Sequence, residues 1–376
     1  MGKKITFLPF INGSQNKSDG KQWRIKLEND FLNDSKIIGF TKAINEKRRR
    51  SLDEYATKDE LIRYHLELHE LKKQRQIEWI KKLVSETANL FEAALKDIPD
   101  AKAEDRIIVA ALPEFFWCDI NDNRKHEWGN RNSSYIKGYH KPLYDDIVSR
   151  YLFHAKDNPL AELTKEYQNL IIFAGTAMDK KINYSDHKED KIYNILPIFY
   201  GGNDAIQWLK CYFSHIDGFD SEEKEGKKGD NKVLNGSGEL ETNPDLFPIT
   251  KFRGVKFTYD ICRDFIVGKK GAPLSTVLCE GWITDVNVLI AAGMGMKSEK
   301  SHPELINSPV LLRCDGLTPP YAQIVYKNGD PSIDSMGVGI DRMEIEIDVA
   351  DAQDVFVQAG KGEDDDDNKE QPDKGN

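Results

Sequence analysis

Three residues of different chemical type stand at the ends of apolar runs far apart in the chain: Glu114, Lys210 and Cys262. Cys262 closes the β-prone run 255–261, and Asp260, Arg263 and Asp264 flank it, so the local field is polar and can tune the ionisation of a thiol. Glu114 follows the run 106–112 directly after Pro113, with Phe115, Phe116 and Trp117 behind it. Apolar neighbours suit a carboxyl group that must accept a proton near neutral pH. Lys210 follows Ala205-Ile206-Gln207-Trp208-Leu209. A thiolate attacks electrophilic carbon, but a free thiol is mostly protonated at pH 7 and needs both a base and a nearby cation. Rigid strands fix such side chains, and the loops at their ends open them to substrate.

The elements that must carry these residues are strands alternating with helices, an α/β pattern. Short apolar runs at 5–10, 106–112, 170–177, 193–200 and 285–292 have the length and β-branched content of strands, most of them buried. The region 193–213 reads as a hairpin around Gly201-Gly202, with Lys210 near its end. Ile77, Ile80, Val84, Phe91, Leu95 and Ile98 recur at spacings of three, four and seven, which predicts a helix over 59–97 with one apolar face. Further helices are expected near 142–154 and 274–280. Segments 310–314 and 322–326 read as late strands or a helix–strand pair, and 343–349 alternates like a surface strand. Residues 11–60 look polar and irregular, with one alternating stretch, Trp23-Arg24-Ile25-Lys26-Leu27, readable as a strand.

Composition removes several function classes. With 53 Lys and Arg against 63 Asp and Glu, the net charge is −10, which argues against nucleic acid or an anionic membrane as the main partner. The basic run Lys47-Arg48-Arg49-Arg50 reads as solvated surface in so acidic a chain. No run approaches the ~20 apolar residues of a membrane span, and no signal peptide is visible. The five cysteines (118, 211, 262, 279 and 314) are scattered and form no Cys-x-x-Cys pair, so neither a zinc site nor a disulfide framework is indicated, and a reducing, cytoplasmic setting is expected. His65 and His69 share a helical face, but position 66 is Leu66 rather than the glutamate of a zinc protease helix, so a solvated face is expected.

Taken in order, the pieces Leu112-Pro113-Glu114-Phe115, Tyr193-Asn194 before a glycine turn and then Lys210, and Ile261-Cys262-Arg263-Asp264 resemble the nitrilase, or carbon–nitrogen hydrolase, superfamily, in particular its amidase-type members. The resemblance implies an α-β-β-α sandwich: a single large domain over 1–358, with polar insertions at about 11–60, 118–165 and 220–247. The acidic residues 359–376 that follow read as a disordered tail. It implies Cys262 as nucleophile, Glu114 as general base and acid, and Lys210 with the backbone N–H of Arg263 as stabilisers of the oxyanion. It also implies no metal, no organic cofactor, a small-molecule substrate and a homodimer or larger assembly. Ile216-Asp217-Gly218-Phe219 is similar to the Ile-Glu-Gly-Trp of aliphatic amidases, which makes Asp217 the candidate second acid, with Glu222 and Glu223 as rivals. The chain departs from the family after the cysteine, where Phe265-Ile266-Val267-Gly268 replaces a Pro-Glu, and at Arg313-Cys314-Asp315-Gly316. Both departures bear on the substrate pocket.

The reaction so implied is hydrolysis of a small amide, N-carbamoyl compound or nitrile through a thioester-type intermediate, releasing ammonia or an amine. Acyl transfer to an amine is a second outcome on the same fold. A catalytically weak member acting as a binding or scaffold protein is a third. A thiol redox protein is a poorer fit, since no resolving cysteine lies close in sequence.

Overall fold

The computed structural model describes residues 2–11, 19–49, 57–114, 116–118, 143–181, 191–210, 248–266, 273–279, 284–291, 306, 308–316, 321–327, 333–335 and 339–349. In chain order the elements are β1 (Gly2–Ile11), α1 (Asp19–Leu32), α2 (Ser35–Arg49), α3 (Lys58–Lys96), β2 (Arg106–Ala111), β3 (Leu143–Tyr144), α4 (Asp145–Val148) and α5 (Pro159–Glu166). They continue with β4 (Leu170–Phe173), β5 (Ala177–Lys181), β6 (Lys191–Tyr200), β7 (Ile206–Leu209), β8 (Ile249–Phe252), β9 (Val255–Ile261) and α6 (Leu274–Leu278). The last are β10 (Val286–Ala291), β11 (Val310–Asp315), β12 (Tyr321–Tyr326), β13 (Ile333–Ser335), β14 (Gly339–Ile340) and β15 (Met343–Asp348).

The strands form two mixed sheets. One runs β14-β1-β2-β4-β6-β5-β3, with β15 paired to β1 and β7 to β6; the other runs β13-β12-β11-β10-β9-β8. Period-two alternation divides the side chains of the first sheet between two cores. Ile107, Val109 and Ala111 of β2, with Ile171 and Phe173 of β4 and Leu196 and Ile198 of β6, meet Val255, Phe257, Tyr259 and Ile261 of the second sheet. Phe173 lies 6.1 Å from Phe257 and 5.9 Å from Tyr259, ring centre to ring centre, so aromatic side chains bridge the sheets. The intervening residues Ile108, Ala110, Leu112, Leu170 and Ile172 turn the other way and pack under Trp79, Ile80, Leu83 and Phe91 of α3. On the far side of the second sheet, α6 packs against β9 through Ser275. The order helices, sheet, sheet, helix is the sandwich expected from the resemblance.

The long helix α3 begins at a capping box: Thr57 Oγ1 accepts from Glu60 N–H, and Glu60 returns a carboxylate oxygen to Thr57 N–H. Its apolar stripe is the one read from the sequence, with the addition of Trp79, which is fully buried and donates Nε1–H to Cys118 O at 2.9 Å. No helix among the described residues is long and apolar enough to cross a membrane.

Two expectations change. Residues 19–49 are helices rather than irregular chain, and Trp23–Leu27 lies inside α1. Trp23, Leu27 and Phe31 are four apart as well as alternating with polar residues. The helical spacing wins because it buries Leu27 and Phe31 while Trp23 packs on Phe10. His65 is exposed as expected, but His69 is half-buried against the Tyr144 ring at 4.4 Å, and burial holds its pKa below the usual histidine value. The segments at 310–315 and 321–326 are both strands, antiparallel to one another. Residues 220–247 and 359–376 lie outside the described residues.

Candidate active site

The first two residues of interest meet where β2 and β7 end. Pro113 stops β2, and the backbone N–H of Glu114 donates to Ala291 O of β10 at 3.3 Å. Gly316 N–H donates to the same carbonyl at 3.0 Å, so Ala291 ties the first sheet to the end of β11. Two glycines make room for this junction. A Cβ on Gly175, whose φ is +68°, would stand 2.5 Å from Pro113 O, and one on Gly316 would stand 2.7 Å from Pro113 Cβ. Neither position admits a side chain unless Pro113 and Glu114 move.

Lys210 is held at the end of the β6–β7 hairpin by a bond from its own N–H to Asn194 O at 2.9 Å. Its Nζ donates to Glu114 Oε1 at 2.7 Å, and both side chains are completely buried. Asn194 Nδ2 donates to the same oxygen at 2.9 Å. On β6, Asn194 has the parity of Leu196 and Ile198, which face the second sheet. Taking two charges out of water costs on the order of several kcal/mol per ion, repaid only when geometry and hydrogen bonds are good. The chain has spent that cost on a Lys–Glu pair at strand ends, where packing alone would not require it.

Cys262 follows Ile261, which pairs with Ile290, one residue before Ala291. One strand, β10, therefore lies between the cysteine tip and the backbone that holds Glu114. Cys262 opens a 3-10 turn over Cys262–Ile266, is 5% exposed and has φ of +47°. Three other non-glycine residues among those described have positive φ (Asp100, Asp157 and Arg253), and all three lie outside the strands. At Cys262 the chain leaves a strand through a left-handed residue that carries a Cβ, a strain of about 1–2 kcal/mol that surrounding structure must hold. No sequence signal announces this, since cysteine has no preference for that region. The turn also contains the backbone of Arg263 and the fully buried Asp264.

Asp260 departs from expectation. Its carboxylate is buried and bonded to Ser275 N–H at 2.9 Å, to the Ser275 hydroxyl and to Asn287 Nδ2 at 3.1 Å, so it is engaged with α6 and β10. Burial pushes its pKa up, and the hydrogen bonds from Ser275 and Asn287 oppose that rise. Two of the other thiols, Cys279 and Cys314, are held in the protonated form. Burial first, and then the Asp260 charge, push Cys279 up to about 12, and burial raises Cys314 as well. Among the described residues Cys118, Cys262, Cys279 and Cys314 form no disulfide, while Cys211 lies outside the described residues. The candidate second acids Asp217, Glu222 and Glu223 also lie outside them. Among the described residues no group of three or more His, Cys, Asp or Glu is arranged to hold a metal ion.

No family model matches the chain, and no curated protein matches it. Solved structures do align with it. A carbon–nitrogen hydrolase from Helicobacter pylori aligns at 14% identity over 72% of this chain and 85% of its own, with a TM-score of 0.42. A Nesterenkonia amidase variant with an acetamide moiety covalently added at its active-site cysteine aligns at 10% identity over 92% and 89%, with a TM-score of 0.37. A glutamine-dependent NAD+ synthetase from Acinetobacter baumannii aligns at 9% identity over 94% of this chain and 48% of its own, with a TM-score of 0.38. All three are loose likenesses, and the site stands on its own geometry.

Proposed function

We propose that the chain is a carbon–nitrogen hydrolase with Cys262 as its nucleophile. The observation that carries this reading is the fully buried contact of Lys210 Nζ with Glu114 Oε1 at 2.7 Å, one strand away from the left-handed turn at Cys262. A charged pair buried at strand ends is poor structural economy but a good proton store beside a thiol.

In the proposed reaction Glu114 takes the Cys262 proton, and the sulfur attacks the carbonyl carbon of a small amide. Lys210 and the backbone N–H of Arg263 stabilise the oxygen as it gains negative charge. The tetrahedral intermediate collapses by breaking the C–N bond, Glu114 gives its proton to the departing nitrogen, and a thioester remains on sulfur. Water then loses a proton to Glu114 and attacks the thioester carbon. The acid is released and the proton returns to sulfur. Asn194 holds Glu114 by its Oε1 through both transfers. N-carbamoyl compounds and nitriles fit the same nucleophile and base. The chemistry draws on side chains for nucleophile, proton carrier and positive charge.

The test is intact-mass spectrometry after exposure to a haloacetamide, followed by peptide mapping. One equivalent of adduct on Cys262, lost in Cys262→Ala and slowed in Glu114→Gln by on the order of 10²-fold, is expected. An adduct distributed over Cys118, Cys211, Cys279 or Cys314 overturns the assignment. A panel of amides, carbamoyl compounds and nitriles screened for ammonia release then separates the substrate classes. Silence across the panel with an intact Cys262 adduct favours acyl transfer or a binding role.

A further inference from the structure

A buried polar network lies beside the Cys262 turn, on the second sheet and α6, and the proposed reaction leaves it unused. Asp260 is 1% exposed, and among the described residues no Lys, Arg or His pairs with it. Its oxygens accept from Ser275 N–H, Ser275 Oγ–H and Asn287 Nδ2–H. Asn287 Nδ2 also reaches Thr258 Oγ1 at 3.0 Å and Ser275 Oγ at 3.0 Å. Thr284 and Ser308 extend the cluster through their hydroxyls, 2.7 Å apart. Strand residues could fill this place with apolar side chains at less desolvation cost.

The network's position gives it a use. Asp260 lies two residues before Cys262, and Ser275 is the second residue of α6, the first helix after the cysteine turn. Its bonds therefore clamp the chain at both ends of the excursion that begins at Cys262. Asn287, on the neighbouring strand β10, fixes the clamp to the strand whose end, at Ala291, carries Glu114. A left-handed residue with a Cβ reverts to ordinary dihedrals unless both flanks are held.

We infer that Asp260, through Ser275 and Asn287, is the positioning residue that holds Cys262 in its left-handed turn and so sets the sulfur against Glu114 and Lys210. The inference rests on the proposed role of Cys262 and adds a residue that never touches substrate. Asp260→Asn keeps the shape and the acceptor for Ser275 N–H, but turns an amide donor toward the Asn287 Nδ2 donor and reverses the bond with the Ser275 hydroxyl, loosening the clamp. The exchange D260N/N287D restores a complementary set: the amide of position 260 accepts from Ser275 N–H and donates toward a carboxylate at position 287.

The experiment measures the rate of chloroacetamide addition to Cys262 by peptide mass spectrometry, with circular dichroism melting on the same samples. Asp260→Asn is expected to slow labelling by on the order of tenfold to 10²-fold, and the exchange to recover most of that loss. Ser275→Ala, which removes the two bonds of the Ser275 hydroxyl but keeps the one from its backbone N–H, is expected to fall between wild type and Asp260→Asn. It supplies the test if Asp260→Asn does not fold. Ile80→Ala, which destabilises the opposite helix layer, is expected to label at the wild-type rate wherever it is folded. Wild-type labelling in Asp260→Asn, or in Ser275→Ala if that is the folded variant, overturns the inference. So does an exchange variant that regains melting temperature but not labelling, since charge rather than placement would then be decisive. Failure of the nucleophile reading looks different: in the wild-type chain the adduct maps to Cys118, Cys211, Cys279 or Cys314 instead of Cys262.

Discussion

Lys210 Nζ and Glu114 Oε1 stand 2.7 Å apart with neither side chain exposed to solvent. The pair is therefore a structural unit as well as a proposed proton store, and removing one partner strands the other charge. Lys210→Met is expected to lower stability by about 3–5 kcal/mol in urea unfolding, beyond any effect on labelling of Cys262. The double variant with Glu114→Gln is expected to be more stable than the sum of the single losses predicts, because no lone charge remains. Additive losses would show that the two residues are not paired in solution.

Cys262 sits at φ +47° and is buried, so its replacement is a backbone experiment as well as a chemical one. Cys262→Gly and Cys262→Ala both remove the sulfur and are expected to take no adduct. The glycine variant relieves the strain of a Cβ in the left-handed region and is expected to be the more stable of the two, by about 1 kcal/mol after its own entropy is counted. Equal or reversed melting temperatures would argue that the turn relaxes in solution.

The pKa values of Cys279 and Tyr259 are raised by burial from 9.0 and 10.0 to about 12 each. A raised folded-state pKa favours the protonated form in the fold. The stability these groups contribute is therefore full below about pH 9 and is lost as pH climbs from 9 to 12 for Cys279, and from 10 to 12 for Tyr259. Melting temperature is expected to fall steadily above pH 9. Cys279→Ala should start lower at pH 7, through lost packing, but fall less steeply between pH 9 and 11. Parallel curves for the two proteins would contradict the assignment. At pH 8 neither Cys279 nor Cys314 should be alkylated in the folded protein.

Gly316 has no room for a methyl group, because its Cβ would meet Pro113 Cβ at 2.7 Å. Gly316→Ala is expected to push Pro113 and Glu114 away from Lys210. The expected result is a labelling rate at Cys262 reduced by about tenfold or more, since sub-ångström placement of a base is worth that much. A variant with wild-type labelling and melting temperature would place the adjustment elsewhere, on the β11 side.

Most core strands, the long helix and the position of Glu114, Lys210 and Cys262 at strand ends were legible in the sequence because each depends on local pattern. Alternation puts Ile107, Val109 and Ala111 on one face and Ile108, Ala110 and Leu112 on the other, and proline after the run ends it. Spacing of three and four was also visible at Trp23, Leu27 and Phe31, but five alternating residues read equally well as a strand, and only docking on Phe10 and α3 decided for helix. Asn194 stood in the matching motif without a role until the fold brought β6 beside the end of β2, 80 residues away in sequence. Asp260 looked like a charge set beside a thiol; tertiary structure gave its oxygens to Ser275 and Asn287, 15 and 27 residues further along. The left-handed turn at Cys262 belongs to the same class. Residue type and spacing report which face a side chain takes, whereas strain, burial and partners across two sheets exist only once the chain has closed on itself.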